Sequence, residues 1–79
     1  SSNTKIIKVM KKVVKVEWKK GNTIFNLENG GLINWFNPHW DKNEMKSNVE
    51  EMNDDITNNV PITLLEDGSI NWDGLIMFE

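Results

Sequence analysis

Residues 27–35 read Leu27-Glu28-Asn29-Gly30-Gly31-Leu32-Ile33-Asn34-Trp35, and residues 65–72 read Leu65-Glu66-Asp67-Gly68-Ser69-Ile70-Asn71-Trp72. Both are Leu-Glu-(Asn/Asp)-Gly followed by Ile-Asn-Trp, and the first copy carries one extra residue. Asn-Gly and Asp-Gly supply the left-handed backbone that tight hairpins need, so each copy predicts a β-hairpin tip. In the first copy, a two-residue turn at Asn29-Gly30 would set Phe25 against Asn34 and mix apolar with polar. A three-residue turn, Asn29-Gly30-Gly31, pairs Leu27 with Ile33 and Phe25 with Trp35, and keeps one face apolar through a glycine bulge. In the second copy, a two-residue turn at Asp67-Gly68 pairs Leu65 with Ile70 and Thr63 with Trp72. Asp73-Gly74 then reverses the chain into residues 75–78.

Upstream of the first tip, Val14, Val16 and Trp18 alternate with Lys15, Glu17 and Lys19, the pattern of a half-buried strand. A turn at Gly21-Asn22 pairs Trp18 with Phe25 and Val16 with Leu27. Val14, Val16, Trp18, Phe25 and Leu27 then share an apolar face, and the other face holds Lys15 near Glu28 and Lys19 beside Ile24. Residues 5–12 admit two readings. As an extra strand, Lys5, Ile7 and Val9 alternate out of phase with Val14, and a bulge near Lys11-Lys12 restores the phase. As a helix, Lys8, Lys11, Lys12, Lys15 and Lys19 recur opposite Ile6, Met10, Val13 and Val14. The density of β-branched residues favours the strand.

Between the two copies, Asn37-Pro38 ends the strand. Asp41 followed by Glu44 predicts a capping box, and Trp40 against Met45 a hydrophobic staple. A helix over about 42–58 places Met45, Val49, Met52 and Ile56 in one apolar stripe, with Glu50, Glu51, Asp54 and Asp55 turned to water. Asn58 or Asn59 ends it in a left-handed conformation, ahead of Pro61. The expected fold is α+β, in the order βββ-α-βββ. An antiparallel meander, one amphipathic helix packed on one sheet face, and a second hairpin meander make a single domain over 1–79. Residues 1–4 read as a disordered or added stretch.

Composition narrows function mostly by exclusion. With no cysteine, neither a disulfide nor a thiolate zinc site supports so small a core, so four Trp and three Phe must supply much of it. Arg, Ala, Gln and Tyr are also absent while Lys, Asn and Ile abound, a bias that fits an AT-rich bacterial or phage genome. No apolar run has the length of a membrane span or the form of a signal peptide, which predicts a cytoplasmic protein and no membrane partner. His39 is the sole histidine, Asp41 beside it is better used as a helix cap, and no calcium loop, phosphate-cradling glycine loop or nucleophile triad is present. Paired carboxylates on a solvated helix face suit acid–base chemistry poorly. The expectation is no enzyme, no cofactor and no metal.

Charge is distributed unevenly. Residues 1–20 hold seven Lys and one Glu, whereas residues 41–79 hold ten acids and two Lys. Such a dipole favours charge-steered association. The first expectation is a non-enzymatic protein-binding module of the inhibitor, antitoxin, immunity or phage anti-defence kind. It would occlude a partner through Glu50, Glu51, Asp54 and Asp55, with Trp40 as an anchor. Phe36 and Phe78 fall on a loop or the outer face and would be further anchors if exposed. The alternative is nucleic-acid binding through Lys8, Lys11, Lys12, Lys15 and Lys19, which the absence of arginine and the acidic second half both weaken. A further alternative is a carbohydrate-binding module with an exposed Trp platform.

The strand pair, the Asn29-Gly30 turn, the helical middle and the closing Gly68, Ile70, Trp72, Gly74 and Leu75 resemble one bacterial family. Its members are small domains of unknown function that end in a Gly-x-Ile-x-Trp pattern, some of them encoded beside toxin-like genes. The resemblance spans roughly two-thirds of the chain. It departs from the family in the spacing of Trp72-Asp73-Gly74 and in lacking the acidic-Leu segment between strands, and it carries over no functional residue.

Overall fold

The computed structural model describes residues 9–36 and 38–78. Its elements run β1 (Val9–Lys19), β2 (Asn22–Leu27), β3 (Leu32–Trp35), α1 (Lys42–Thr57), β4 (Ile62–Leu65), β5 (Ile70–Trp72) and β6 (Leu75–Met77). The α+β class and the βββ-α-βββ order are as expected. The strands form one curled six-stranded sheet in the order β3-β2-β1-β4-β5-β6, with every neighbouring pair antiparallel. β1 is therefore the central strand. Its later part, from Val13 to Lys19, pairs with β2, and its start, from Val9 to Lys12, pairs with β4. The described part, 9–12, of the strand expected over 5–12 is thus the beginning of β1 itself. Residues 1–8, including the alternation at Lys5 and Ile7, lie outside the described residues.

Four registers differ from expectation, each for a local reason. The β1–β2 turn is Lys20-Gly21, with φ of 52° and 82°, and not Gly21-Asn22. A two-residue hairpin turn of this hand wants its glycine in the second central position, which fixes the pairs Trp18 with Thr23 and Val16 with Phe25. Lys15 consequently pairs with Asn26, Glu17 with Ile24 and Lys19 with Asn22.

Second, β1 breaks register between Val13 and Lys15 against β2, and between Val9 and Lys11 against β4. The first bulge lets Val13 and Val16, three positions apart, both point into the core, and it turns Val14 outward. The expected apolar face had contained Val14.

Third, the first tip turns on Glu28-Asn29-Gly30. Leu27 N–H donates to Gly31 O at 2.8 Å, Gly30 carries the left-handed φ of 89°, and Phe25 pairs with Ile33. The three-residue length and the glycine bulge are as expected, but the pairs slide by two residues, so the inward face is preserved.

Fourth, the second tip has three residues as well, Glu66-Asp67-Gly68. Leu65 N–H donates to Ser69 O at 2.9 Å, and Leu64 pairs with Ile70 and Ile62 with Trp72. Here the slip is one residue and reverses β4. Ile62 and Leu64 share the face of Ile70, while Leu65, although buried, stands outside the main core cluster. At the third turn Asp73 and Gly74 adopt φ of 48° and 96°, and Trp72 pairs with Leu75.

The helix follows its signals. Asp41 Oδ1 accepts from the N–H groups of Asn43 at 2.8 Å and Glu44 at 3.1 Å. Asn59, at φ 64°, ends it: its N–H donates to Ile56 O and the Val60 N–H to Asp55 O, the paired bonds of a Schellman cap. Met45, Val49 and Met52 are buried and Ile56 is partly so. They pack against Val13, Val16, Phe25, Leu27, Trp35, Ile62, Ile70 and Met77. The helix lies against β1, and Asn53 locks it there. Asn53 Oδ1 accepts from Val16 N–H at 2.9 Å and its Nδ2 donates to Val16 O at 2.7 Å. Val16 faces β2 only through its side-chain pairing with Phe25, so this amide acts as a one-residue strand on the other edge of β1.

Candidate functional site

Two regions of the surface are distinctive, and α1 connects them. The first is its C-terminal half. Glu50, Glu51 and Asp54 are exposed there, and no basic residue occupies the last turn. The helix macrodipole disfavours carboxylates at that end. Glu50 and Asp54, and Glu51 and Asp55, stand at the like-charge spacing of four, and only Lys46, one turn before Glu50, gives any offset. Among the described residues the one ion pair is Lys19–Glu17 at 3.3 Å, so no lysine closes on these acids. Asp55 differs from its neighbours. It is half-buried, and its Oδ2 accepts from Trp72 Nε1–H at 2.8 Å, tying α1 to β5. Of the four acids expected to face water, it alone is committed to the fold.

The second region is a cleft of about 140 Å³ at the other end of the helix, lined by Trp18, Gly21, Thr23, Trp35, Phe36, Pro38, Trp40, Lys42 and Met45. Trp35 is buried, Trp18 and Trp40 are half-buried, and Phe36 and Pro38 are exposed. The rings of Trp35 and Trp40 meet edge to face, with centroids 5.5 Å apart, and Phe25 meets Trp35 in the same way at 6.4 Å. Trp35 Nε1 is buried with no hydrogen-bond acceptor. At the rim, the Lys42 chain lies over the β1–β2 turn: a Cβ on Gly21 would stand 3.5 Å from Lys42 Nζ. Lys20, exposed in that turn, adds a second positive charge nearby.

The structure separates residues that the sequence had grouped. Trp40 belongs to the aromatic cleft and not to the acidic patch. Lys42 and Asp54 are twelve residues apart, about 18 Å along the helix axis. The described members of the lysine series lie along β1 with acids beside them. Lys8 lies outside the described residues, Lys11 is half-buried, and Lys12 neighbours Glu28, whose Oε1 accepts from the Lys12 N–H at 3.2 Å. Lys15 and Lys19 flank Glu17, to which Lys19 is paired. The Asn26 amide donates to Glu17 at 3.0 Å, and this bond, with Lys19 next, holds the Glu17 carboxyl below its ordinary range.

His39 is exposed in the loop before the helix, and Asp41 is spent on the cap. No group of three or more potential metal ligands occurs among the described residues, and no helix there is long and apolar enough to cross a membrane. Phe36 and Phe78 are exposed, as the outward reading required. The cleft itself escaped sequence reasoning because Trp18 and Trp35 read as core positions, which they partly are. Asn53 could have been found, since it follows Val49 by four on the flank of the apolar stripe.

No protein-family model matches the chain, and neither the curated proteins nor the solved structures contain a match to it.

Proposed function

We propose that this is a cytoplasmic, non-enzymatic protein-binding module that docks a basic partner surface on the C-terminal half of α1, in the manner of an inhibitor, antitoxin, immunity or anti-defence protein. One observation carries the reading. Glu50, Glu51 and Asp54 stand at like-charge spacings, the helix dipole further disfavours Asp54 in the last turn, and no lysine among the described residues pairs with them. A surface that is electrostatically unfavourable when free and unneeded by the core is relieved by a partner of opposite charge. Asp55 is excluded from the contact because Trp72 occupies it. Glu17 and Glu28 beside the described lysines of β1 offset their charge toward phosphate, so nucleic acid is the weaker reading.

The test has two arms. Changing Glu50 and Glu51 to Gln and Asp54 to Lys is expected to raise stability by about 1 kcal/mol, because a carboxylate leaves the last turn and the like-charge pairs 50/54 and 51/55 are relieved. For a domain of this size that corresponds to a Tm increase of roughly 4–8 °C. The same variant, immobilised, is expected to lose the proteins that the wild-type domain captures at low salt and releases at high salt. Unchanged stability removes the argument from electrostatic conflict, and unchanged capture removes the assignment of the surface.

A further inference from the structure

The aromatic cleft lies at the opposite end of α1 and carries the opposite charge at its rim. We infer that it is a peptide-binding pocket for a proline ring in an extended segment, with a carboxylate beside the proline seated on Lys42. The site is independent of the acidic end of the helix, and its test does not depend on that reading.

Size comes first. Pockets that enclose a whole drug-sized ligand run to about 300–1,000 Å³. This one, at about 140 Å³, takes a single compact group of a longer molecule. Shape comes next. The floor and wall, Trp35 and Trp40, meet at 79°, which makes a corner and not a pair of parallel plates. A nucleobase sandwiched between rings needs parallel faces; a puckered proline ring fits a corner of indoles. Polarity follows. Apart from Lys42, the only polar side-chain atoms of the lining are the Thr23 hydroxyl and the indole N–H groups, and Thr23 is itself buried. A sugar brings many hydroxyls that such a lining leaves unpaired, whereas a proline brings none. A polyproline segment is already extended before it binds, so little ordering entropy is lost.

Charge decides the remainder. An aromatic corner alone also suits a cation, through its ring faces. Lys42 at the rim repels one, and it favours an anionic residue next to the anchored ring.

The probe is a synthetic, blocked octapeptide with two prolines flanked by glutamates, titrated into the full chain and followed by the indole N–H signals. The four indoles separate the site from the rest. Trp18, Trp35 and Trp40 line the cleft, while Trp72, bonded to Asp55, does not. Saturable shifts of the first three with Trp72 unmoved are expected. Because Trp40 also covers Trp35, the variants are placed at exposed positions, Phe36→Ser and Lys42→Glu. Each is expected to weaken binding about fivefold or more without lowering the melting temperature, and Lys42→Glu, at the first position of α1, gains slightly from the helix dipole. Lys42→Glu should in addition regain affinity when the flanking glutamates of the peptide are replaced by lysines. The inference is overturned if no titration saturates, or if an alanine-for-proline peptide binds equally well. It is also overturned if the charge-swapped pair shows no recovery, or if oligothymidylate or a chitin oligosaccharide, and not the peptide, shifts the cleft signals.

Discussion

Glu28-Asn29-Gly30 and Glu66-Asp67-Gly68 build matching turns. In each, the glycine has a φ of 89° and its N–H returns to the preceding leucine carbonyl at 3.0 Å. In each, the Asn or Asp side chain accepts from the N–H two residues on, at 3.0 Å to Gly31 and 2.9 Å to Ser69. Yet the residue two places after the glycine is 63% exposed in one hairpin, Leu32, and fully buried in the other, Ile70. The cause is handedness. β2 and β4 both run antiparallel to β1, on its opposite edges, so they run in the same direction. β3 is laid down beyond β2 on one side, and β5 beyond β4 on the other. One hairpin turns left and the other right. A rotation that superposes the tips exchanges the two faces of the sheet, so equivalent positions point to opposite faces. The extra residue of the first copy compensates: Ile follows glycine by three positions in one copy and by two in the other, and both isoleucines end on the inward face. The repeat is one turn used in two hands.

The hardest way to break that account is to equalise the copies. Deleting Leu32 leaves the tip intact and moves Ile33 and Trp35 to outward-facing positions, and inserting one residue between Ser69 and Ile70 does the same to Ile70 and Trp72. Trp35 and Ile70 are completely buried, and losing such a side chain from a core costs about 2–5 kcal/mol. The stability of a domain this small lies near the lower end of the usual 5–15 kcal/mol, so each variant is expected to lose cooperative thermal unfolding and near-ultraviolet dichroism. A native-like transition in either variant would mean that the tip does not dictate the face.

That face logic also marks how far the sequence could be read. The places where the chain turns, the helix caps and the Met45–Val49–Met52 stripe are local chemistry, and all were legible, although the turn residues at three of the four turns were shifted by one or changed in number. A two-residue slip, as at the first tip, is invisible to alternation because it preserves the inward face. The one-residue slip at the second tip was hidden because Ile62, Leu64 and Leu65 are all apolar, so β4 reads equally well either way round. Val13-Val14 conceals the bulge for the same reason. Nothing along the chain reveals that β1 serves two partners, and that arrangement gives the hairpins their opposite hands. The acidic face of α1 was legible from helical spacing. The cleft was not, because it is assembled from a strand end, a loop and the start of a helix.

A smaller effect tests the likeness of the two turns. Nothing lies within 4 Å of a Cβ added at Gly30 or Gly68, so alanine there meets only the cost of a left-handed backbone. Gly30→Ala and Gly68→Ala should each lose about 1–2 kcal/mol, and by equal amounts. Denaturant midpoints measured side by side give the comparison. A difference beyond about 0.5 kcal/mol would show that the surroundings, and not the turn, set the cost.

The smallest effect concerns how each hairpin is attached to β1. The first is joined by a titrating contact, the Asn26 amide on the Glu17 carboxylate, with Lys19 beside it. No carboxylate is hydrogen-bonded across the β1–β4 pairing among the described contacts. The amide and then the lysine lower the folded-state pKa of Glu17 below that of an ordinary glutamate. A depressed carboxylate pKa adds stability that is complete above the unfolded value and lost as the pH falls through the folded one. Glu17→Gln should therefore be less stable than the parent near neutral pH, and the two should converge in acid. Glu17 is half-buried and still open to solvent, so the gap is small and shrinks with salt. Amide exchange adds the spatial prediction: acidification should loosen β2 against β1 before β4, and Glu17→Gln should abolish that order. If both edges of β1 loosen together in the parent, Glu17 is only a surface charge and the attachments do not differ.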